Sequence, residues 1–157
     1  MIARLDLLDL FLAGVDSRVA IPMEVAMESC GVKKTLDALM IQKALDESRI
    51  RIVAVKNDKL VARLQVDSNM GKGESEAIAL AVKEKAQLLG IDDKNGINAC
   101  KLLGIPFTTA MGILVRSREK GLIDRGDALA KLEALAGYGR YKPAIVEDAR
   151  RRMEQRK

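Results

Sequence analysis

Two short stretches of this sequence place pairs of carboxylates where a metal ion would be held. Glu74 and Glu76 stand in the first turn of a predicted helix, and Asp92 and Asp93 follow an apolar run that predicts a buried strand. Carboxylates crowd together at a cost unless something positive lies among them. Because the chain has no histidine, a hard divalent cation held by oxygen ligands is the natural candidate.

Each pair of acids also has a purely structural explanation. Acids in the first turn of a helix offset the helix dipole, which suits Glu74 and Glu76. Aspartate is a preferred N-cap, so Asp92 and Asp93 are equally suited to starting the next helix. The chemical interpretation gains weight from the combination, because adjacent parallel strands would bring both pairs to the edge of the sheet where ligands bind.

Other familiar sites are excluded by the residues present. The lack of histidine rules out Ser-His-Asp and Cys-His nucleophiles and histidine-ligated zinc. The phosphate-loop pattern GxxxxGK[ST] is absent, and so is GxGxxG after a strand. A calcium loop around Asp93 would need glutamate at the position of Leu102. Cys30 and Cys100 lack CxxC spacing, and we interpret both as small buried apolar residues.

The composition is that of an aliphatic, weakly basic chain. Its 157 residues are expected to form a single domain over 1–157. Only 3% of the residues are aromatic, so the base-stacking platforms of RNA-recognition sheets and OB-folds are not expected. The net charge of +5 mildly favours a polyanion such as RNA or DNA. Without a signal-peptide core or a membrane-spanning run, a cytoplasmic location and no membrane contact are expected.

Helical and strand patterns alternate along the chain, which predicts an α/β fold with a short parallel sheet covered on both faces. The segment 59–73 is less regular and is predicted to be a short helix followed by a loop, after a turn at 57–58. Five methionines are interpreted as core or helix-packing residues, namely Met23, Met27, Met40, Met111 and Met153. The other predicted helices cover about 5–14, 23–30, 34–48, 74–87, 96–103, 111–120, 124–136 and 143–154, and the strands 18–21, 50–55, 88–91 and 104–109.

Several strings in the sequence together resemble one group of PIN-domain proteins. They are GESEAIALA at 73–81, LLGIDDKNG at 88–96 and KLLGIPFT at 101–108, with GILVR and KGLI following and LDLL and IPMEVAME upstream. The resemblance runs nearly from end to end. It implies a Rossmann-like PIN-type three-layer sandwich with a short parallel sheet. Many PIN domains are Mg²⁺- or Mn²⁺-dependent ribonucleases, including the toxins of toxin–antitoxin pairs.

The resemblance implies a metal site built from five acids. The family's acid after the second strand corresponds to Glu28. Its helix-opening acid corresponds to Glu76, with Glu74 a close second, and its acid after the fourth strand corresponds to Asp93, with Asp92 beside it. All five are implied ligands, and Glu28, Glu76 and Asp93 are the implied catalytic acids. Mg²⁺ keeps several waters, one of which can attack a phosphodiester, so that no covalent nucleophile is needed.

The sequence also departs from the family pattern. The family's first strand carries its leading acid and lies at the centre of the sheet, but here the chain begins within the helix that follows that strand. The resemblance therefore implies a domain truncated at its N-terminus, and a catalytically degenerate module that binds nucleic acid or protein is the alternative function. The family's Gly-Thr turn after the fifth strand is replaced by Thr109-Ala110.

Basic residues and implied partners complete the expectations. Arg116, Arg118 and Lys120 lie on one predicted helix and are candidate contacts for RNA phosphates. The basic tail at 150–157 is interleaved with acids and is more simply explained as a solvated helix end. RNA is the expected substrate. The resemblance implies an antitoxin protein as a partner, and a homodimer is expected because such folds often pair.

Overall fold

A computed structural model describes residues 6–16, 18–30, 36–56, 59–139 and 141–155. The chain begins with α1 (Leu7–Gly14), β1 (Val19–Pro22), α2 (Met23–Cys30), α3 (Leu36–Asp46), β2 (Ile50–Val53) and α4 (Lys59–Ser68). It continues with α5 (Lys72–Glu84), β3 (Leu89–Gly90), α6 (Lys94–Leu103), β4 (Phe107–Thr108), α7 (Ala110–Glu119), α8 (Arg125–Tyr138) and α9 (Pro143–Glu154). The predicted turn at 57–58 lies outside the described residues.

The chain divides into two compact units. The terminal unit consists of Met1–Asp16 and Ala110–Lys157, and the central unit of Ser17–Thr109. Each unit has its own cluster of buried apolar side chains. That the whole chain forms one domain stays a prediction.

The terminal unit is helical. Helix α7 contacts α1, α8 and α9, and its apolar residues recur at helical spacing so that one broad face can be buried. The core comprises α1 and α7–α9 side chains that are almost fully buried, including Leu7, Leu114, Leu132, Leu135 and Met153. Helix α8 starts at a capped position, because the Asp124 carboxylate accepts a hydrogen bond from the backbone N–H of Asp127 at 2.8 Å.

The central unit contains two short parallel strand pairs. In the first, β1 runs alongside β2 in the register Val19 to Ile50 through Pro22 to Val53. In the second, β3 pairs with β4 through Leu89–Phe107 and Gly90–Thr108. Among the described residues these pairs are separate two-stranded sheets. The parallel α/β prediction is correct, but a single continuous sheet is not formed there.

Helix α5 organises the central unit. It contacts α2, α4 and α6 as well as β1 and β3. Isolated two-stranded sheets are marginal in water, so both strand pairs depend on the helices packed against them. The apolar cluster of this unit includes Leu64, Met70, Ile78, Ile91 and Cys100.

The strands β3 and β4 are shorter than the predicted strands, and the residues before β4 explain part of the difference. Gly104 adopts a left-handed conformation with φ of 66° and closes α6, with its N–H bonded back to the last turn. Pro106 has no N–H to donate to a ladder, although its carbonyl accepts from the Leu89 N–H at 2.9 Å.

The predicted burial of the methionines and cysteines is confirmed for some of these residues and wrong for others. Met111 and Met153 are buried as expected, but Met23 and Met27 are exposed by 44% and 61%, so the packing prediction is wrong for these two. They stand four residues apart on α2. Cys100 is buried and free, and its burial raises the pKa of its thiol. The Cys30 side chain lies outside the described part of the chain.

None of the helices within the described ranges is both long and apolar enough to span a membrane.

Candidate functional site

The first turn of α5 is held in place by backbone and hydroxyl groups. Gly71 occupies the N-cap position without a side-chain cap. Ser75, which is fully buried, donates from its hydroxyl to the Gly71 carbonyl at 2.8 Å and also bonds to it through its N–H. The position of this turn fixes Glu76, which is only 5% exposed.

Helix α2 brings two more acids to this turn. Glu24 and Glu28 are four residues apart and therefore lie on one face of α2, and α2 packs against α5. The backbone N–H of Glu24 donates to Glu76 Oε2 at 3.4 Å. Gly73 leaves room for the Glu28 carboxylate, because a Cβ at position 73 would lie 2.9 Å from Glu28 Oε2.

We call Glu24, Glu28, Glu74 and Glu76 the acid cluster. Its members act on one another electrostatically, as Glu28 shows. Partial desolvation raises the pKa of Glu28, and the negative charges of Glu74, Glu24 and Glu76 raise this pKa further. Closely placed carboxylates repel one another in this way, and the nearby Lys72 offsets part of the effect on Glu28.

A lysine lies among these acids. Lys72 Nζ donates to Glu24 Oε2 at 2.6 Å and lies 4.0 Å from Glu76 Oε1. The hydrogen bond to Glu24, more than any other contact, raises the pKa of Lys72. The ammonium group is therefore a positive charge shared by one acid of α2 and one acid of α5.

The two predicted aspartates occupy a different element. Asp92 and Asp93 lie between β3 and α6, and Asp93 Oδ2 accepts a hydrogen bond from the Gly96 N–H at 2.8 Å. Asp93 is thus the N-cap of α6. The structure brings Glu28, Glu74 and Glu76 together, and it makes Asp93 a helix cap, which was one of the two roles that the sequence allowed. A catalytic role for Asp93 stays a prediction.

The donor set of the acid cluster fits a hard divalent cation, but the side chains do not converge on a single point. Within the described residues, no three acidic or cysteine side chains are arranged so that they could hold one metal ion. Mg²⁺ is commonly bound by only one or two carboxylates, with waters and substrate phosphates filling the other positions. Two acids contributed by α2 and α5 would meet that smaller requirement.

The predicted RNA-binding residues belong to the terminal unit, where Arg116 and Arg118 lie on α7 and Lys120 follows its last residue. Arg116 Nη1 donates to Glu119 Oε2 at 3.3 Å, and its side chain is 65% exposed. Lys120 Nζ donates to the Gly14 carbonyl at 2.5 Å. Arg118 is half-buried, and within the described chain its Nε is buried without a hydrogen-bond partner. Arg116 is thus mostly exposed, although its charge is paired with Glu119.

Two residues of the site were missed by sequence reasoning. Glu24 had the clue of its four-residue spacing from Glu28 on a predicted helix. Lys72 had no such clue, because the predicted helix begins at 74 and leaves Lys72 in the preceding loop. The spacing of Glu24 and Glu28 could not show that Glu24 meets Lys72, because these two residues are 48 positions apart.

Comparison with known proteins adds one finding. The sequence model of a protein family described as a PIN domain matches residues 1–155. No significant match was found among curated proteins or among solved structures. The family match covers almost the whole chain, and the mixed α/β architecture with short parallel strand pairs agrees with it.

Proposed function

The chain belongs to the PIN-domain family, and from this premise we propose that it is a divalent-metal-dependent endoribonuclease. Membership of this family indicates a nuclease-type function, and PIN domains generally use divalent metal ions. The observation that carries the proposal is the acid cluster, in which the buried carboxylate of Glu76 faces acids contributed by a second helix. Hydrolysis of RNA, with Mg²⁺ or Mn²⁺ as the ion, is the specific activity proposed.

The acids of the cluster are proposed to have different roles, according to their positions. Glu76 and Glu24 would hold the ion between α5 and α2, and Glu28, beside the backbone of Gly73, would add its negative charge from the exposed side of the cluster without binding the ion. When bound, the ion supplies electrostatic stabilisation to the phosphodiester group that is attacked by water. The buried Ser75 keeps the first turn of α5 in register, so that Glu76 is held before any ligand arrives.

The proposal extends to partners. The RNA backbone would contact the exposed guanidinium of Arg116, together with Arg118 on the same helix and Lys120 just after it. An antitoxin protein and a second copy of the chain are proposed as further partners, in a cytoplasmic setting.

The second candidate function is a degenerate PIN-like module that binds RNA or protein without cleaving it. Two observations favour it. Asp93 is engaged as a helix cap, and no three acids of the described chain converge on one ion position. The two functions differ in whether a bound RNA is cut.

The deciding experiment is cleavage of a labelled single-stranded RNA in the presence of Mg²⁺, Mn²⁺ or EDTA. We expect metal-dependent cleavage that Glu76→Gln reduces by about a hundredfold, because the substitution removes the buried charge and keeps the shape. Glu84→Gln is the matched control, since Glu84 lies on the same helix and pairs with Arg51 outside the acid cluster. RNA binding without cleavage in any metal would favour the degenerate module, and equal activity of the two variants would remove Glu76 from the site.

A further inference from the structure

Lys72 contacts the acid cluster, and the proposed nuclease function does not explain why it is there. It occupies the first position of α5, where a positive charge opposes the helix dipole. The unfavourable interaction with the dipole is offset by an ion pair with α2, in which Lys72 Nζ lies 2.6 Å from Glu24 Oε2. The Glu24 side chain is 24% exposed and that of Lys72 is 54% exposed, so the acid is partly shielded and the lysine faces solvent.

The position of the ammonium group matches the place a metal ion would need. It is hydrogen-bonded to the acid of α2 and lies 4.0 Å from Glu76 Oε1 on α5. These are the same two carboxylates that would have to share an ion between the helices. An ammonium and a divalent ion cannot occupy that space together, since both are cations and both require the same oxygens.

We infer that the Lys72 ammonium is the resident counter-ion of the acid cluster and competes with the divalent metal ion for Glu24 and Glu76. The inference rests on the proposed function, which supplies the metal. Lys72 is then a positioning residue. It keeps two carboxylates close together before metal binds, and it must swing away when the ion arrives. The long, half-exposed side chain allows that movement, because its stem is not enclosed by the core.

The test is the affinity for Mn²⁺, measured on the full chain by the loss of the free-ion signal in electron paramagnetic resonance. Lys72→Met removes the competing charge and keeps the apolar stem, so we expect Mn²⁺ to bind about three- to tenfold more tightly. Lys72→Arg restores the charge and should return the affinity to that of the natural chain. Lys83→Met removes the same charge from the exposed end of α5 and should leave the affinity unchanged.

The outcomes separate this inference from the proposed function. Tighter binding in Lys72→Met alone supports both. Measurable binding that is equal in all four proteins, or weaker in Lys72→Met, overturns the role of Lys72 and leaves the metal-dependent function standing. An equal gain in Lys72→Met and Lys83→Met would mean that only net charge matters, which also overturns it. No Mn²⁺ binding by any of the four proteins overturns both.

Discussion

Asp93 shows at the scale of one residue how a capping role and a catalytic role can be separated. Its carboxylate accepts the Gly96 N–H and begins α6. Asparagine caps a helix about as well as aspartate, but alanine does not. The two substitutions therefore remove different things: Asp93→Asn removes the charge, and Asp93→Ala removes the charge and the cap.

We expect Asp93→Ala to lower the free energy of unfolding by about 1 kcal/mol and Asp93→Asn to change it much less, as measured by urea denaturation. If Asp93 also serves catalysis, the asparagine variant loses RNA cleavage while it keeps its stability. Asp124 provides the control, because it caps α8 with the same 2.8 Å geometry. Asp124→Ala should cost a similar amount of stability and leave cleavage unchanged. Full activity in Asp93→Asn would confine Asp93 to its structural role.

At the scale of the elements, Glu119 connects two helices of the terminal unit. It lies on α7, and its carboxylate accepts from Arg152 of α9 at 2.6 Å and from Arg116 at 3.3 Å. These contacts, with that of Arg152 the strongest, hold the pKa of Glu119 below its usual value of 4.5. A carboxyl group whose pKa falls on folding stabilises the folded chain above its unfolded pKa, and the stabilisation disappears as the pH falls through the folded pKa.

Glu119→Gln should therefore lower the free energy of unfolding at pH 7 by about 0.5–1 kcal/mol, a range that allows for solvent around the half-exposed Arg152. The difference from the natural chain should shrink as the pH is lowered below about 4.5. Urea denaturation at a series of pH values measures both. Arg151→Gln is a suitable comparison, because Arg151 pairs with Asp148 within its own helix, α9. A loss in Glu119→Gln that persists unchanged at pH 3 would show that charge is not its cause.

The elements also show how far the sequence determines the site. The apolar periodicity of α5 and the β-branched run of β2 are local patterns, and both elements form close to their predicted bounds. The meeting of Lys72 with Glu24 depends on how α2 packs against α5, which no local pattern contains. Asp93 is a different case. The same side chain satisfies a cap and a metal ligand equally well, so residue type and spacing could not decide between them.

At the scale of the whole molecule, the chain has 27 lysines and arginines and a net charge of +5. Several of these basic side chains form ion pairs with acids of the chain, which makes them less available to RNA phosphates. Binding of RNA to such a surface releases counterions, so affinity falls as salt concentration rises. The salt dependence of the affinity is set by the number of basic side chains that contact phosphate, which is smaller than the number of basic residues in the sequence.

We expect the affinity for a single-stranded RNA to fall between about 50 and 200 mM salt, with a slope of roughly −0.7 per phosphate contact on logarithmic axes. Arg116→Gln should reduce the magnitude of that slope by about 0.7. Arg63→Gln removes the same charge from an exposed position on α4, where the side chain is 79% exposed, and should leave the slope unchanged. Fluorescence anisotropy titrations provide the slopes. Equal changes in both variants would mean that RNA responds to net charge alone.

The two separate strand pairs have a consequence for the order of folding. The β1–β2 pair closes a loop that contains α2 and α3, but the β3–β4 pair closes a shorter loop that contains only α6. Closing a shorter loop costs less conformational entropy, and a single helix forms within about a microsecond. We therefore expect the β3–α6–β4 segment to fold first within the central unit, because closing its loop loses less conformational entropy. The acid cluster needs α2 to reach α5, and Glu24 and Glu76 are 52 positions apart. Because that loop is longer still, we expect the cluster to assemble after the β3–α6–β4 segment.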